Sequence, residues 1–159
     1  MRAACIRAAP RLAFRWLALS RDEQAWLGEC VAARALAGGG ARVLARRIRI
    51  DGVEVDLVTR EARAFACVEV KTSTARQPGE RVVWRPLDRV DGRRLERQAR
   101  AARALERHFR LAPGSVRLDV VEVWLDARGK VFRCAHHRNV GRNVGRNVGA
   151  RGREGRRGL

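Results

Sequence analysis

The sequence predicts an α/β domain with a mixed β-sheet, and three observations support this fold class. The chain has 159 residues, of which 46% are apolar, so it can bury the core of one domain. Two long segments repeat apolar residues at helical spacing, whereas the other segments are short and rich in β-branched residues. These segments follow one another as helix, three strands, helix and strand. The first three strands are joined by short turns, which favours antiparallel pairing.

The first helix is predicted from Ser20, its N-cap, to about Ala37. Glu23 stands three residues after Ser20, as in a capping box, and the three glycines at 38–40 end the helix. One side of this helix carries Glu29 among apolar residues: Trp26, Ala32, Ala33 and Leu36. An unpaired buried carboxylate is unfavourable, so Glu29 is either a rim residue that reaches water or a functional group.

Three strands are predicted next, at 41–50, 53–60 and 64–74. Asp51-Gly52 is a strong hairpin signal between the first two, and residues 61–63 turn the chain into the third. Because successive strand side chains alternate faces, Glu69 and Lys71 share one face of the third strand, and Glu54 and Asp56 share one face of the second. A hairpin between these strands would bring Asp56 towards Glu69, although a slip of one residue would reverse the faces.

The second half of the chain predicts a loop at 73–86, a helix from about Leu87 to Arg110, and strands at 115–126 and 131–135. Arginines crowd one side of this helix, and Pro113-Gly114 ends it. The predicted domain therefore spans residues 21–135. Residues 1–20 are expected to be an extension outside the fold. Residues 136–159 contain three RNVG units and are expected to be disordered.

The charge of the chain predicts a polyanionic partner. The net charge is +18 and the pI is about 11.7, which favours nucleic acid, with an anionic membrane surface as the weaker alternative. Only Lys71 and Lys130 of the 35 basic residues are lysine. No stretch approaches 18 uncharged apolar residues, so no membrane span is predicted. The arginine-glycine tail is either a phosphate-binding segment or an expansion without function.

The cysteines and histidines predict neither a metal site nor a disulfide framework. Cysteines stand at positions 5, 30, 67 and 134, without CxxC spacing, and are expected to be free thiols in a reducing cytoplasm. The three histidines, His108, His136 and His137, are expected on the solvated surface.

Asp56, Glu69 and Lys71 form a D-x12-E-x-K pattern that predicts phosphodiester chemistry. Two carboxylates brought close repel each other, and a divalent cation with oxygen ligands, Mg²⁺ or Mn²⁺, satisfies both. A neighbouring lysine can orient a water or stabilise phosphate charge. The open alternative is that alternating charges mark the solvated face of a half-exposed strand.

Several motifs together resemble the UPF0102 (YraN-like) family, over about residues 24–125. Gly28 and Glu29 match the helix motif, "EVDL" at 54–57 matches Glu-Ile-Asp-Leu, and "VEVK" at 68–71 matches Val-Glu-Val-Lys. A later match is Arg117-x-Asp119-Val-Val. The family resembles the PD-(D/E)xK nucleases and archaeal Holliday-junction resolvases. The resemblance therefore implies a restriction-endonuclease-like three-layer fold, with a mixed β-sheet flanked by helices.

The resemblance also implies a site and an activity. Asp56, Glu69 and the Val70 carbonyl would hold the metal, Lys71 would position or activate water, and Glu29 would complete the acidic cluster. The implied function is a Mg²⁺-dependent endonuclease acting on DNA, including branched or damaged DNA, and a resolvase-like reaction would need a homodimer. Phosphate contacts are expected from four arginines of the second helix: Arg93, Arg94, Arg97 and Arg100.

A non-catalytic nucleic-acid-binding protein that keeps the nuclease fold is the alternative. The family's usual arginine after Val-Glu-Val-Lys-Thr is Ser73 in this chain, and its usual lysine before Arg-Arg-Leu is Asp91. Both departures remove basic groups that could contact a phosphate backbone.

Overall fold

The computed structural model describes residues 19–74, 92–126 and 128–140, which form two helices and five strands. The helices are α1 (Arg21–Gly38) and α2 (Gly92–His108). The strands are β1 (Arg42–Ile50), β2 (Val53–Glu61), β3 (Ala64–Thr74), β4 (Arg117–Leu125) and β5 (Val131–His137). Residues 1–18 of the predicted N-terminal extension lie outside the described residues. The first residues of the predicted second helix, 87–91, and the chain beyond residue 140 also lie outside them.

The strands form one sheet in the order β1-β2-β3-β4-β5, which confirms the predicted mixed α/β class. β1, β2 and β3 pair antiparallel as two hairpins, β3 and β4 pair parallel, and β5 returns antiparallel to β4. The parallel pair is joined by the chain segment that contains α2. A parallel connection of this kind needs a long crossover, which the second helix supplies.

Each helix covers one face of the sheet, so the domain has three layers. α1 contributes Leu27, Ala32, Ala33 and Leu36 to a core with Leu57, Val68 and Val123. The opposite face packs against α2, where the buried residues include Val53, Val55, Val58, Cys67, Ala101, Ala102 and Leu105. This is the restriction-endonuclease-like arrangement that the resemblance implied.

The start of α1 forms as its capping residues predict, and the middle of the helix lies very close to β3. The Ser20 Oγ accepts the Glu23 N–H at 3.2 Å, and Glu23 Oε2 accepts the Ser20 N–H at 2.8 Å. A Cβ atom on Gly28 would lie 1.8 Å from the Thr72 Oγ1. Glycine at position 28 therefore allows α1 to approach the strand that carries Glu69 and Lys71.

β1 and β2 share a kink at Arg47 and Asp56. The pairs Arg46↔Leu57 and Ile48↔Val55 flank this position, and Arg47 has a φ of 46°, in the left-handed region that a residue with a Cβ rarely adopts. Leu57 packs on the α1 side of the sheet, whereas Val55 packs on the α2 side. The strict alternation predicted for β2 is therefore wrong at Asp56, because the strand changes faces there.

The folded body continues past residue 135. β5 runs to His137, and the Val140 N–H donates to the Leu118 carbonyl at 2.8 Å. The first RNVG unit thus begins on the body, and the later units lie outside the described residues. Among the described helices, none is long and apolar enough to cross a membrane.

Candidate active site

Asp56 lies where β2 and β3 separate. The β2–β3 pairs end at Leu57↔Val68, and one further step of the same register would set Asp56 opposite Glu69. Instead of a strand-to-strand bond, the Asp56 Oδ2 accepts the Val70 N–H at 2.7 Å. The carboxylate therefore occupies the gap between the strands, next to the peptide that follows Glu69.

The surroundings of Asp56 oppose its ionisation. Burial is the largest effect, and the negative charge of Glu69 is the second; together they raise the pKa of Asp56 to about 6, despite the hydrogen bond from Val70. Glu29 adds a smaller effect in the same direction. An acid whose pKa is raised by burial and by neighbouring negative charges lies at a site that favours a cation.

Glu69 is buried, with 4% of its surface exposed, and three side chains of the described residues contact its carboxylate. The Lys71 Nζ lies 2.9 Å from Oε1, and the Arg94 guanidinium forms an ion pair with the same oxygen. The Gln98 Nε2 donates to Oε2 at 3.0 Å. Glu69 and Lys71 thus lie on one side of β3, as the alternation predicts, and α2 contacts Glu69 there through Arg94 and Gln98.

Gln98 is a site residue that the sequence analysis missed. It is 6% exposed, and its amide nitrogen also approaches the Glu54 carbonyl at 3.3 Å. Its Oε1 is buried and has no hydrogen-bond partner among the described residues. Gln98 therefore fixes Glu69 relative to β2 and leaves one acceptor oxygen unused beside the site.

Glu29 reaches the same region from α1, but both of its oxygens bind Arg47. The Arg47 Nε lies 2.7 Å from Oε2 and its Nη2 lies 2.9 Å from Oε1, a two-point pairing that raises the pKa of the Arg47 guanidinium. The kink in β1 presents Arg47 to the helix. Glu29 is consequently held in an ion pair with Arg47, and its charge contributes to the raised pKa of Asp56 after burial and Glu69.

The donor set suits Mg²⁺ or Mn²⁺, although it is not a closed cage. Mg²⁺ is commonly bound by one or two carboxylates together with water and substrate phosphates, and Asp56 and Glu69 supply such a pair. Across residues 19–74, 92–126 and 128–140, no three side chains of His, Cys, Asp or Glu form a group that could hold a metal ion by themselves. The three-carboxylate cluster with Glu29 is therefore not preformed.

The four arginines predicted to contact phosphate have different positions on α2. Arg93 and Arg97 are exposed, whereas Arg94 turns towards Glu69. The Arg100 Nε lies 3.8 Å from the Asp51 Oδ2 in the β1–β2 turn. Two of the four thus form a solvated basic surface and one contacts the acidic site directly.

A second polar cluster surrounds Asp119, whose side chain is fully buried. His136 Nε2 lies 2.9 Å from Oδ2, Arg117 Nη2 lies 3.1 Å from the same oxygen, and the Asn139 N–H donates to Oδ1 at 2.9 Å. Burial by itself raises the pKa of Asp119, but these three partners outweigh it, so that pKa lies below its usual value. This cluster holds the end of β5 against β4.

His136 and His137 were predicted to be solvated surface residues; His136 is exposed and His137 is half-buried, but each also contacts a buried acid, which was not predicted. Besides the contact of His136 with Asp119, the His137 Nε2 lies 3.0 Å from the buried Glu122 carboxylate. The alternation of β5 sends the two histidines to opposite faces of the sheet. The sequence signal was a pair of acids, Asp119 and Glu122, in a strand that is mostly apolar.

Comparison with known proteins places most of the described domain in one set of relatives. The profile of the uncharacterised protein family UPF0102 matches residues 28–123. A UPF0102 protein of Moorella thermoacetica is 34% identical over 115 residues, which cover 72% of this chain and 92% of the relative. A UPF0102 protein of Beutenbergia cavernae is 39% identical over 125 residues, which cover 77% of this chain and 98% of the relative. The matched region contains Glu29, Asp56, Glu69 and Lys71.

Proposed function

Because the chain belongs to the UPF0102 family, whose name states no activity, we propose its function from the site itself: metal-dependent hydrolysis of phosphodiester bonds in DNA. The observation that carries this proposal is the approach of Asp56 to Glu69 at the point where β2 and β3 separate, with Lys71 2.9 Å from the Glu69 carboxylate. Burial is the largest cause of the raised pKa of Asp56, and the nearby negative charge of Glu69 is the second.

Different residues of the chain would have different roles in such a reaction. Asp56, Glu69 and the Val70 carbonyl would hold Mg²⁺ or Mn²⁺, which when bound stabilises negative charge on the phosphate and makes a water more acidic. Lys71 carries three N–H donors, so it can contact Glu69 and still donate to the attacking water or to a phosphate oxygen. Gln98 and the Val70 N–H keep Glu69 and Asp56 in fixed orientations.

The exposed arginines of α2 support DNA as the substrate. Arg93 and Arg97 extend a basic surface from the helix that contacts Glu69 through Arg94 and Gln98. Such contacts position a phosphate backbone without reading its bases, which suits recognition of a branched or damaged structure. The free thiols of Cys30, Cys67 and Cys134 are compatible with a reducing compartment such as the cytoplasm.

A second function, nucleic-acid binding without cleavage, is favoured by one observation. The Glu69 carboxylate is already neutralised by Lys71 and Arg94, and a protein that only bound DNA could keep this ion-pair cluster permanently. Binding without turnover would still depend on the basic surface and would weaken with salt.

A cleavage assay separates the two functions. Duplex, nicked, branched and single-stranded DNA are incubated with the protein in Mg²⁺, in Mn²⁺ and in EDTA. We expect products only with a metal ion, and loss of product in Glu69→Ala and in Lys71→Ala. Activity that survives either substitution would place the cleavage outside this site. Salt-sensitive binding of DNA with no product on any substrate would support the second function.

A further inference from the structure

The acidic site carries its own counter-ions. Among the described residues, Glu29 pairs with Arg47, Glu69 pairs with Lys71 and Arg94, and the charges of Glu29 and Glu69 both act on Asp56. With all six groups ionised, their charges sum to zero. A divalent ion that enters alone adds two positive charges to a cluster in which every acid but Asp56 already has an ion-pair partner.

Arg94 is the counter-ion best placed to exchange. Arg94 contacts the same Glu69 oxygen as Lys71, and Lys71 lies only two residues after Glu69 on β3. If Arg94 moves away, Glu69 keeps its contacts with Lys71 and Gln98. The side chain of Arg94 is 38% exposed, whereas that of Glu69 is 5% exposed. The Arg94 side chain is therefore partly accessible to solvent, although it contacts the buried acid.

A phosphodiester offers Arg94 a replacement partner. Guanidinium groups pair with phosphate as they do with carboxylate, often through two parallel N–H···O bonds. Mg²⁺ for its part takes few protein ligands and completes its shell with water and substrate phosphates. Binding of the metal ion and binding of the phosphate backbone therefore favour each other, because the ion binds the Glu69 oxygen and the phosphate pairs with Arg94.

We propose that Arg94 is an exchangeable counter-ion that couples metal binding to DNA binding at the proposed site. In the absence of DNA, Arg94 pairs with Glu69 and weakens the affinity for the divalent ion. When both ligands are present, Arg94 moves to the phosphate backbone and Glu69 becomes available to the ion. This inference rests on the proposed function, since it requires that Glu69 binds a metal ion.

Coupling of this kind is reciprocal. If DNA tightens metal binding by a given factor, the metal must tighten DNA binding by the same factor. The effect can therefore be measured from the DNA side without any cleavage. A labelled phosphorothioate duplex that resists hydrolysis serves as the probe, and Mn²⁺ serves as the metal ion.

The experiment measures the Kd of the duplex by fluorescence anisotropy with and without Mn²⁺ at fixed ionic strength, and the Kd of Mn²⁺ for the DNA-free protein by calorimetry. Wild type should bind the duplex at least tenfold more tightly with Mn²⁺. Arg94→Gln should bind Mn²⁺ at least fivefold more tightly than wild type without DNA, and its duplex affinity should change less than threefold on adding Mn²⁺.

Arg103→Gln is the matched control, because Arg103 is exposed on the same helix nine residues further along, about 14 Å along the axis. It removes the same charge and should keep the wild-type Mn²⁺ affinity and coupling. Glu69→Gln should abolish Mn²⁺ binding. Thermal unfolding of each variant checks that the fold is intact.

The outcomes separate the two proposals. Equal duplex affinity with and without Mn²⁺, in a protein that binds Mn²⁺ through Glu69, would overturn the coupling and leave the proposed function standing. Equal behaviour of Arg94→Gln and Arg103→Gln would overturn the role of Arg94. Absence of Mn²⁺ binding both with and without the duplex would overturn the proposed function itself, and the coupling with it.

Discussion

Replacing Asp56 by asparagine is expected to stabilise the protein at pH 8, although Asp56 is a central residue of the proposed site. The substitution removes a charge that burial and Glu69 both oppose. It keeps the size of the side chain and an oxygen that can accept the Val70 N–H. At a functional site, the native side chain is often less favourable for folding than a neutral replacement, because it is selected for activity.

The magnitude follows from the pKa of Asp56 in the two states. The unfolded chain loses this proton near pH 3.8, whereas the native protein retains it up to about pH 6. Between these values the native state binds more protons, so rising pH destabilises it. At about 1.4 kcal/mol for each pKa unit, ionised Asp56 destabilises the native state by about 3 kcal/mol at pH 8. The same relation gives about 1.5 kcal/mol at pH 5.

Urea unfolding at pH 8 and pH 5 measures this effect. Asp56→Asn should raise the free energy of unfolding by about 3 kcal/mol at pH 8 and by about half as much at pH 5, without a change in m-value. Asp22→Asn, which neutralises an exposed acid on α1, should show no comparable gain at either pH. A less stable Asp56→Asn protein at pH 8, or a gain that is the same at both pH values, would refute the electrostatic account of Asp56.

Three further predictions test other parts of the structure. Gly28→Ala should lower the free energy of unfolding by about 2 kcal/mol, because the new Cβ would overlap the Thr72 Oγ1. Adding Thr72→Ala to this variant should restore part of the loss in thermal unfolding. If the effects of the two substitutions on stability simply add, the contact between these positions is contradicted. Asp119→Asn should lower the free energy of unfolding by about 3 kcal/mol at pH 7, because it breaks a buried ion-pair cluster. The pKa of Asp119 lies below 3.8, so the ionised side chain stabilises the native state above that pH, and this stabilisation decreases as the pH falls further. Urea unfolding should therefore show that Asp119→Asn lowers the free energy of unfolding less at pH 3 than at pH 7. Iodoacetamide at pH 8 should label Cys30 and Cys134 but not Cys67, because Cys67 is buried and its pKa is raised to about 12 by burial and nearby acids. If mass spectrometry detects labelled Cys67 in the folded protein, its buried position is contradicted.

Much of the fold could be predicted from the sequence because its signals are local. The Ser20 and Glu23 capping box, the Asp51-Gly52 turn and the alternation in β3 each depend on residues close in the chain. The same alternation placed Lys71 beside Glu69. The relation of Asp56 to Glu69 followed from the hairpin, which needs only one short turn.

The rest of the site depends on contacts between distant segments, for which the sequence has no local signal. Arg47 adopts a left-handed backbone conformation where β1 kinks, and its partner Glu29 lies 18 residues earlier on α1. Gln98 is one polar residue on a helix rich in charged residues, so nothing in its pattern indicates a buried contact with Glu69. The contacts of the β5 histidines with buried acids were not predicted, because their acidic partners belong to another strand.

The most direct test of the account is cleavage of DNA by wild type and by Asp56→Asn under the same conditions. We expect Mg²⁺-dependent cleavage by wild type and cleavage at least a thousandfold slower by Asp56→Asn, a loss of about 4 kcal/mol of transition-state stabilisation. The same variant should be more stable than wild type at pH 8. Cleavage by Asp56→Asn at the wild-type rate, or no cleavage of any DNA by wild type in Mg²⁺ or Mn²⁺, would contradict the account.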